Sequence, residues 1–438
     1  RKLRRAAEHA EAMHGRVDVT SLLRPNSKLV QPSLRRTPTL RLKQQASQSL
    51  EAKRAQLVQN LRTLWADLAL ATLPTPKLQL VVKRDALLDS LRFVANLPYK
   101  SLLSGQLMIK FIGEEGQDAG GLFADYMECM AHTIAAAPHL FRPAADGSLL
   151  PAPLPGAGKK YSEEVARMQL FAVGRLLALS ITRATPFPLP LSRFFFKLAL
   201  SESITSSDVA RVDPEFAKWR VHAVLEPGGV ANVEALLCDE LFFVGTPMEG
   251  GEEETELLPG GRTKRVTEAN KAKYVELLVE HHLVGHRRKE LTLLVDGFRD
   301  VIPKKRIQGC GLSAIDLELL VCGLPTVPVA EWQQHSRGSN EWFAHTELRQ
   351  WFWEVVADMT QEECAQLLGF VCGSSRLPAG GFGELKPPFT VDVKGEPDAL
   401  PMSHTCFNLL EVPPYPSKDA LASKLKLAIA GTAGFGFA

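Results

Sequence analysis

Residues 400–408 read Leu-Pro-Met-Ser-His-Thr-Cys-Phe-Asn and lead into the largely apolar run Leu409–Val412. A proline turn, small polar residues and a histidine surround the one cysteine of this stretch, Cys406. A thiolate is the strongest common side-chain nucleophile, and it needs a partly exposed polar niche to react. A cysteine at the mouth of a short strand has such a niche, and a strand would place His404 on the same face as Cys406. The alternative is an inert core thiol, which is the usual state of a cysteine.

Two separate motifs point to one family. The cysteine segment continues through Pro413-Pro414-Tyr415 to a closing helix and a Gly-Phe-Gly-Phe tail at 434–437, and this order resembles the catalytic end of HECT-type ubiquitin ligases. The string F-I-G-E-E-G-Q-D-A-G-G-L at 111–122 is similar to the opening of the amino-terminal lobe of that family, where it is a structural signature. The resemblance spans roughly residues 77–438.

The resemblance implies roles for individual residues. In that family the cysteine matching Cys406 accepts ubiquitin as a thioester and passes it to a substrate lysine. His404 is then expected to orient or polarise the site, and Thr405 to shape the acceptor position. Phe435 occupies the place, four residues from the end, of a phenylalanine that supports transfer in many members. The supporting residues implied in this way are Phe407, Asn408 and Phe435.

We therefore expect an α+β, bilobal HECT fold. Residues 77–323 would form a mainly helical N-lobe, with about 212–270 as a small subdomain that docks the conjugating enzyme. Residues 324–438 would form a smaller α/β C-lobe that carries the cysteine, and residues 1–76 an N-terminal extension. The chain starts without a methionine, so we expect it to be part of a longer protein.

Two sets of residues would connect the parts of this fold. Gly323-Leu324-Pro325 opens a short segment that suits a hinge, because a glycine absorbs backbone rotation while prolines limit slack; a fixed loop is the alternative. By resemblance, the conjugating enzyme would dock on Phe216, Leu241, Phe242 and Tyr274. Each of these four is equally compatible with a place in the core.

Local signals predict several helix ends. Ser313 with Asp316, and Thr360 with Glu363, have the spacing of capping boxes. Thr267 is predicted to cap a helix that carries Tyr274. Later in the chain, Phe389, Val391 and Val393 alternate as in a strand, and Ser417 is predicted to cap a final helix with Leu421, Leu425, Ala428 and Ile429 inward and Gly431 ending it.

The composition limits the function classes. The 438 residues suffice for two or more domains, and a net charge of +2 gives no general argument for nucleic acid. The odd number of cysteines and the absence of a C-x-x-C pair indicate neither a disulfide framework nor a zinc site, and they favour a reducing compartment, the cytoplasm or the nucleus. His281 and His286 are five residues apart, which is wrong for two metal ligands on one helical face. The cysteines are Cys129, Cys238, Cys310, Cys322, Cys364, Cys372 and Cys406.

The N-terminal extension divides into two parts. Residues 1–40 are rich in Lys and Arg and broken by prolines, so they form either a basic arm for an acidic partner or a solvated extension. Residues 42–73 are predicted to form a helix, since Leu50, Leu57, Leu61, Leu64 and Leu68 recur at helical spacing. That stripe faces either the core or a partner helix.

The predicted activity is a two-step acyl transfer. Cys406 would take ubiquitin from a conjugating enzyme and give it to a lysine of an unknown protein substrate, with no metal or other cofactor, no nucleic acid and no membrane span. The enzymatic alternative is a cysteine hydrolase that uses Cys406 with a distant His and Asp or Asn. A third reading is an interaction scaffold with an inert cysteine.

Overall fold

The computed structural model describes residues 50, 52–61, 77–98, 101–102, 106–114, 121–156, 161–247, 253–308 and 310–432. These residues fall into two compact units. One unit is Ile204–His286, which includes the range expected to dock a conjugating enzyme and extends beyond it at both ends. The other unit combines the described residues of 46–203 and 287–438, and so contains Cys406.

The described elements are mainly helical, in agreement with the expected α+β class. The helices are α1 (residues 52–61), α2 (Ser90–Asn96), α3 (Gly121–Ala135), α4 (Glu163–Arg183), α5 (Arg193–Leu200), α6 (Ser206–Val212), α7 (Pro214–Phe216), α8 (Ala223–Leu225), α9 (Gly229–Leu237), α10 (Lys271–Leu283), α11 (Arg288–Val301), α12 (Lys304–Gln308), α13 (Ala314–Cys322), α14 (Val329–His335), α15 (Asn340–Ala344), α16 (Thr346–Asp358), α17 (Gln361–Cys372) and α18 (Lys418–Thr432). A π-helical segment, Ala217–His222, joins α7 to α8.

The strands are short and form separate small sheets. They are β1 (Lys77–Val82), β2 (Gln106–Phe111), β3 (Phe141–Pro143), β4 (Leu149–Pro151), β5 (Val244–Gly245), β6 (Thr255–Glu256), β7 (Arg337–Gly338), β8 (Thr390–Val393), β9 (Met402–His404) and β10 (Leu409–Val412). β1 and β2 pair in parallel, which requires the crossover between them that contains α2. β7, β8, β10 and β9 form a four-stranded sheet in that order.

Helices α4 and α11 cross so closely that only glycine fits at the contact. A β-carbon on Gly174 would lie 2.2 Å from the carbonyl oxygen of Leu294, and one on Gly297 would lie 2.0 Å from that of Phe171. α4 is also long and apolar enough to meet a composition test for a membrane span, but 72% of its most apolar window is buried within the fold. It packs as the central helix of this region.

A buried arginine joins α4 to the end of α2. The Arg175 guanidinium donates from Nη1 to the carbonyl oxygens of Val94 (2.8 Å), Ala95 (3.1 Å) and Leu97 (2.6 Å). The last carbonyls of a helix have no partner within the helix. Arg175 satisfies them here, which explains why a charged side chain occurs within an apolar helix.

The C-terminal sheet packs on an aromatic core. β10 pairs in parallel with β8 and antiparallel with β9, so the segment between β9 and β10 is a tight reversal. The strand predicted around Val391 is confirmed, as is the final helix with its four apolar residues buried. Ser417 accepts from the backbone N–H of Ala420 at 3.2 Å, but the helix continues past Gly431 to Thr432.

Three of the four predicted N-caps are confirmed, including Ser417 at α18. Ser313 and Asp316 form a reciprocal capping box at α13, and Thr360 and Glu363 form one at α17. The prediction for Thr267 is wrong, because α10 begins only at Lys271.

The residues around Thr267 serve another helix. The Glu268 carboxylate accepts from the backbone N–H of Val230 at 3.1 Å, near the start of α9, and from Lys271 Nζ at 2.6 Å. The carboxylate therefore stabilises the positive end of α9 as well as pairing within its own segment.

The helix of the N-terminal extension is confirmed where it is described. Leu50, Leu57 and Leu61 are buried, so the apolar stripe faces the core here. Lys53 Nζ pairs with Asp316 at 2.7 Å. Arg54 donates to the Ile181 carbonyl and pairs with Glu384 at 3.0 Å. The basic arm at 1–40, and the stripe positions Leu64 and Leu68, lie outside the described residues.

The crossing of α4 and α11 yields a stability prediction. Gly297→Ala should lower the free energy of unfolding by about 1–3 kcal/mol, because its β-carbon meets backbone rather than a flexible side chain. Chemical denaturation followed by circular dichroism measures this. Gly156→Ala is the matched control, since nothing lies within 4 Å of its β-carbon. Equal stability of the two variants would contradict the close packing of α4 and α11.

Candidate functional site

Cys406 lies in a single 3₁₀ turn, Thr405–Phe407, between β9 and β10. Its position at the mouth of a short strand is as predicted, and the side chain is partly exposed. The strand expected to carry both His404 and Cys406 ends at His404, so strand alternation does not orient the cysteine. The turn follows the edge strand β9, and the partly exposed cysteine lies beyond the end of that strand.

Asn408 determines the shape of this turn. Its φ of +48° lies in the left-handed region, which asparagine adopts more readily than most residues other than glycine. The buried side-chain amide donates to the carbonyl oxygen of Pro387 at 2.6 Å, and the backbone carbonyl accepts from Thr390 N at 2.8 Å. Asn408 therefore ties the cysteine turn to the beginning of β8.

His404 is held by a carboxylate that we did not identify from the sequence. His404 Nε2 lies 3.2 Å from Oε1 of Glu411, which is only 7% exposed. The same oxygen accepts from Lys394 Nζ at 2.8 Å. Leu409 lies opposite His404 in the antiparallel pair, so Glu411, two residues further along β10, is a diagonal neighbour of the histidine.

The contact with Glu411 determines which nitrogen of His404 is available. When neutral His404 donates Nε2–H to Glu411, Nδ1 is the unprotonated nitrogen and can accept a proton. The only sequence signal was one acidic residue within an apolar strand. Its partner follows from the register, which the sequence alone does not give.

The N-terminus of α3 packs directly against the cysteine turn. A β-carbon on Gly121 would lie 2.6 Å from the carbonyl carbon of Thr405 and 2.7 Å from the backbone nitrogen of Cys406. Only glycine permits this contact. The structure thus supplies a physical reason for one glycine of the 111–122 motif, whose residues 115–120 lie outside the described chain.

A second contact joins α3 to the segment after α17. The Glu128 carboxylate accepts from Ser375 Oγ and, at 3.3 Å, from Ser375 N, and it lies 3.2 Å from His132 Nε2. The hydrogen bond with Glu128 raises the pKa of His132. This polar cluster fixes α3 beside the turn from a second direction.

Of the two phenylalanines predicted to support the site, Phe407 lies within the described residues. Phe407, which follows Cys406 in the turn, is 62% exposed, so it presents an apolar ring to solvent. Phe435 lies outside the described residues.

The predicted docking residues do not form one exposed set. Leu241 and Tyr274 are buried, with Tyr274 edge-on to Phe243 in the core of the 204–286 unit, so their side chains offer almost no surface to a partner. Their part in docking stays a prediction. Phe216 and Phe242 are partly exposed, and Phe216 stacks on His282 with ring centroids 3.7 Å apart.

Other apolar side chains of the same unit are the exposed ones. Trp219, Leu225 and Leu236 are 46%, 38% and 59% exposed. Sequence reasoning missed them because the apolar residues of these helices do not separate into buried and exposed sets by spacing alone.

The three predicted hinge residues lie where α13 ends. Gly323 has a φ of +75°, and a β-carbon there would lie 2.4 Å from the carbonyl oxygen of Leu377. Leu324 N donates to the same carbonyl at 2.9 Å, and Pro325 follows. Gly323 is thus required by its backbone conformation and by this close contact.

Comparison with known proteins identifies the family. The protein-family model described as HECT-domain (ubiquitin-transferase) matches residues 128–438, a range that includes the cysteine turn and both strands beside it. The chain therefore belongs to the HECT family.

Named relatives agree with this assignment. E3 ubiquitin-protein ligase HACE1 from Danio rerio and from Homo sapiens is 32% identical over 357 residues, which cover 80% of this chain and 38% of the relative. E3 ubiquitin-protein ligase NEDD4 from Mus musculus is 31% identical over 369 residues, which cover 82% of this chain and 40% of the relative. The chain spans about two fifths of the length of these curated relatives.

Thiol chemistry should separate the cysteines by burial. Burial raises the pKa of Cys129 to about 12 and that of Cys322 to about 12, so each is a thiolate in only ~10⁻⁴ of molecules at pH 8. Iodoacetamide should therefore label the partly exposed Cys406 and the exposed Cys238 first. Labelling of Cys129 and Cys322 should rise about tenfold per pH unit, because each remains below its pKa.

Site-resolved mass spectrometry over a time course measures these rates. Urea-unfolded protein is the control, in which all seven cysteines should react at similar rates. Labelling of Cys129 as fast as that of Cys238 in the folded protein would contradict the burial described.

Proposed function

We propose that this chain is a ubiquitin ligase that carries ubiquitin as a thioester on Cys406. The observation that supports this most strongly is that the HECT match extends over a partly exposed cysteine in a turn between two strands. In the first step, the Cys406 thiolate attacks the carbonyl carbon of the thioester on a conjugating enzyme, whose sulfur leaves. In the second, a lysine amine attacks the new thioester, an amide forms, and the Cys406 sulfur leaves.

Neither step requires a metal or nucleotide, since thioester exchange is near energy-neutral and the main task is to position two large proteins.

Thr405 sets the backbone of the acceptor turn against Gly121, and Asn408 fixes the turn to β8. Phe407 offers an apolar surface beside the thioester. Phe435 keeps its proposed supporting role from the family resemblance.

His404 is the proposed acceptor of the proton that the attacking amine loses. Glu411 holds its ring through Nε2 and leaves Nδ1 as the basic nitrogen. Glu411 is thus a positioning residue, since it acts through His404.

The conjugating enzyme is proposed to dock on the 204–286 unit. Its contact surface would use Phe216 and Phe242 together with the exposed Trp219, Leu225 and Leu236, while Leu241 and Tyr274 support it from the core.

The lobe division proposed from the sequence places an N-terminal extension at 1–76, the N-lobe at 77–323 and the C-lobe at 324–438, with the hinge at Gly323-Leu324-Pro325. The cytoplasm or the nucleus suits a reaction that depends on a reduced thiol.

The decisive experiment is thioester capture. With activating enzyme, a panel of conjugating enzymes, ATP and ubiquitin, the chain should form an adduct on non-reducing gels that thiol removes. Cys406→Ser should convert the adduct to a thiol-resistant ester, and Cys406→Ala should abolish it. Cys238→Ala is the matched control, because that thiol is exposed but lies in the other unit.

The other outcomes favour the alternatives. Adduct formation that persists in Cys406→Ala would contradict the proposal. Release of free ubiquitin from a conjugate would favour a hydrolase, and a Cys406 thiol that forms no adduct with any conjugating enzyme would favour a scaffold.

Glu411→Gln tests the role of the carboxylate. Discharge of ubiquitin from Cys406 to lysine should slow by about tenfold or more. A positioned proton acceptor accelerates a reaction by roughly 10²–10⁴-fold, and the variant should lose part of that acceleration because Glu411 positions His404.

Single-turnover discharge of ubiquitin from the loaded protein to free lysine measures this rate. Lys394→Gln is the matched control, because it removes the other partner of the same Glu411 oxygen and leaves the histidine contact. Equal discharge rates in Glu411→Gln and wild type would remove Glu411 from the mechanism.

A further inference from the structure

A cleft of about 440 Å³ lies beside the cysteine turn, within the unit that contains Cys406. Thr405, Cys406 and Asn408 form one wall. The opposite walls come from α1, from the end of α4 and the residues after it, and from the segment between α17 and β8. This volume is in the range of small ligand sites, so it suits one or two side chains of a partner rather than a folded surface.

The charged residues of the cleft are mostly cationic. Within the part of the chain that the structure describes, Arg54, Arg183, Arg376 and Lys386 line it, and Glu384 is the one carboxylate. Glu384 is already bonded to Arg54 Nη1 at 3.0 Å and to the backbone N–H of Gly380 at 3.1 Å. The carboxylate is therefore neutralised by its neighbours, and the cleft keeps an excess of positive charge.

The cations of the cleft differ in whether neighbouring groups of the protein already bind them. Arg183 donates to the carbonyl oxygen of Leu107 at 3.0 Å and lies over the ring of Phe123, so its guanidinium is held in place. Arg376 is partly exposed and Lys386 is exposed. Among the residues that the structure describes, neither Arg376 nor Lys386 has a carboxylate within ion-pair distance. These two charges remain available to an anionic ligand.

A cationic cleft poses a problem for the proposed reaction, because the acceptor is a lysine. The positive charges repel an ammonium group, but they also favour the neutral amine, which is the form that attacks a thioester. A carboxylate next to the lysine in the substrate would pair with the cations of the cleft and so restore attraction between the substrate and the site. It could pair with Arg376 or Lys386 while the amine approaches Cys406.

We propose that this cleft is a subsite for an acidic side chain of the protein substrate, so that lysines flanked by Asp or Glu are the preferred acceptors. The proposal rests on the ligase function and names a substrate class for it. Arg376 and Lys386 are the residues that select the acidic neighbour, and Arg54 and Arg183 contribute to the local field. Because the selection is electrostatic, it weakens as ionic strength rises.

The first experiment tests the cleft without requiring ligase activity. The measured quantity is the ratio of the labelling rate with iodoacetate, an anion, to the rate with neutral iodoacetamide. This ratio should be higher at Cys406 than at Cys238 of the same protein. An excess of about threefold or more at low salt is expected, and it should fall in Arg376→Gln and in Lys386→Glu. Arg337→Glu is the matched control, since Arg337 is exposed in the same unit but does not line the cleft.

The second experiment tests substrate choice. Ubiquitin-loaded protein is mixed with one of two peptides of equal length, each with one central lysine flanked by either glutamate or glutamine, and discharge is measured per loaded molecule. The glutamate peptide should discharge ubiquitin about tenfold faster, the equivalent of about 1.4 kcal/mol. Arg376→Gln with Lys386→Glu should remove or reverse that preference, and Arg337→Glu should keep it.

The outcomes separate this proposal from the proposed ligase function. Equal iodoacetate preference at Cys406 and Cys238 would overturn the cationic cleft, whether or not a thioester forms. A normal thioester with equal discharge to the two peptides would overturn the substrate preference and leave the ligase function standing. Absence of any thioester, with the iodoacetate preference present, would place the failure in the ligase function.

Discussion

The backbone of Gly121 lies against the backbone of Thr405 and Cys406 with no room for a β-carbon, and the position of the cysteine depends on this contact. The two segments are far apart in sequence, so the amino-terminal part of the unit determines what surrounds the thiol. Glu128 and Ser375 hold the same helix from another side. Because these contacts involve backbone and short side chains, small displacements would change the exposure of Cys406.

Two buried polar residues give the turn its geometry. Asn408 and Glu411 are each 7% exposed, and each has a partner for its polar atoms. Burial of an unpaired amide or carboxylate is unfavourable, so these partners are required for the local structure and are not incidental to it. The same requirement that folds the turn also orients His404 and ties it to the sheet.

Burial decided which sequence predictions held. Capping boxes at Ser313 and Thr360 depend on residues three apart, and both formed. The docking residues depended on which apolar side chains stay exposed after packing. Tyr274 is buried, whereas Trp219 and Leu236 are exposed, and no local spacing distinguishes them. Thr267 failed as a cap because α10 begins only at Lys271, and the neighbouring Glu268 instead accepts from the backbone at the start of α9.

By itself, the sequence determined the local features of this protein: the cysteine between a proline turn and an apolar strand, the helix caps, the strand around Val391 and the motifs of the HECT family. These depend on residues close together in the chain, where spacing defines contact. Only the tertiary structure paired Glu411 with His404, placed Gly121 against the turn and gathered the cations of the cleft from positions 54 to 386. Such contacts join residues that are distant in sequence, and they depend on strand register, helix crossings and burial, none of which is encoded by any single segment.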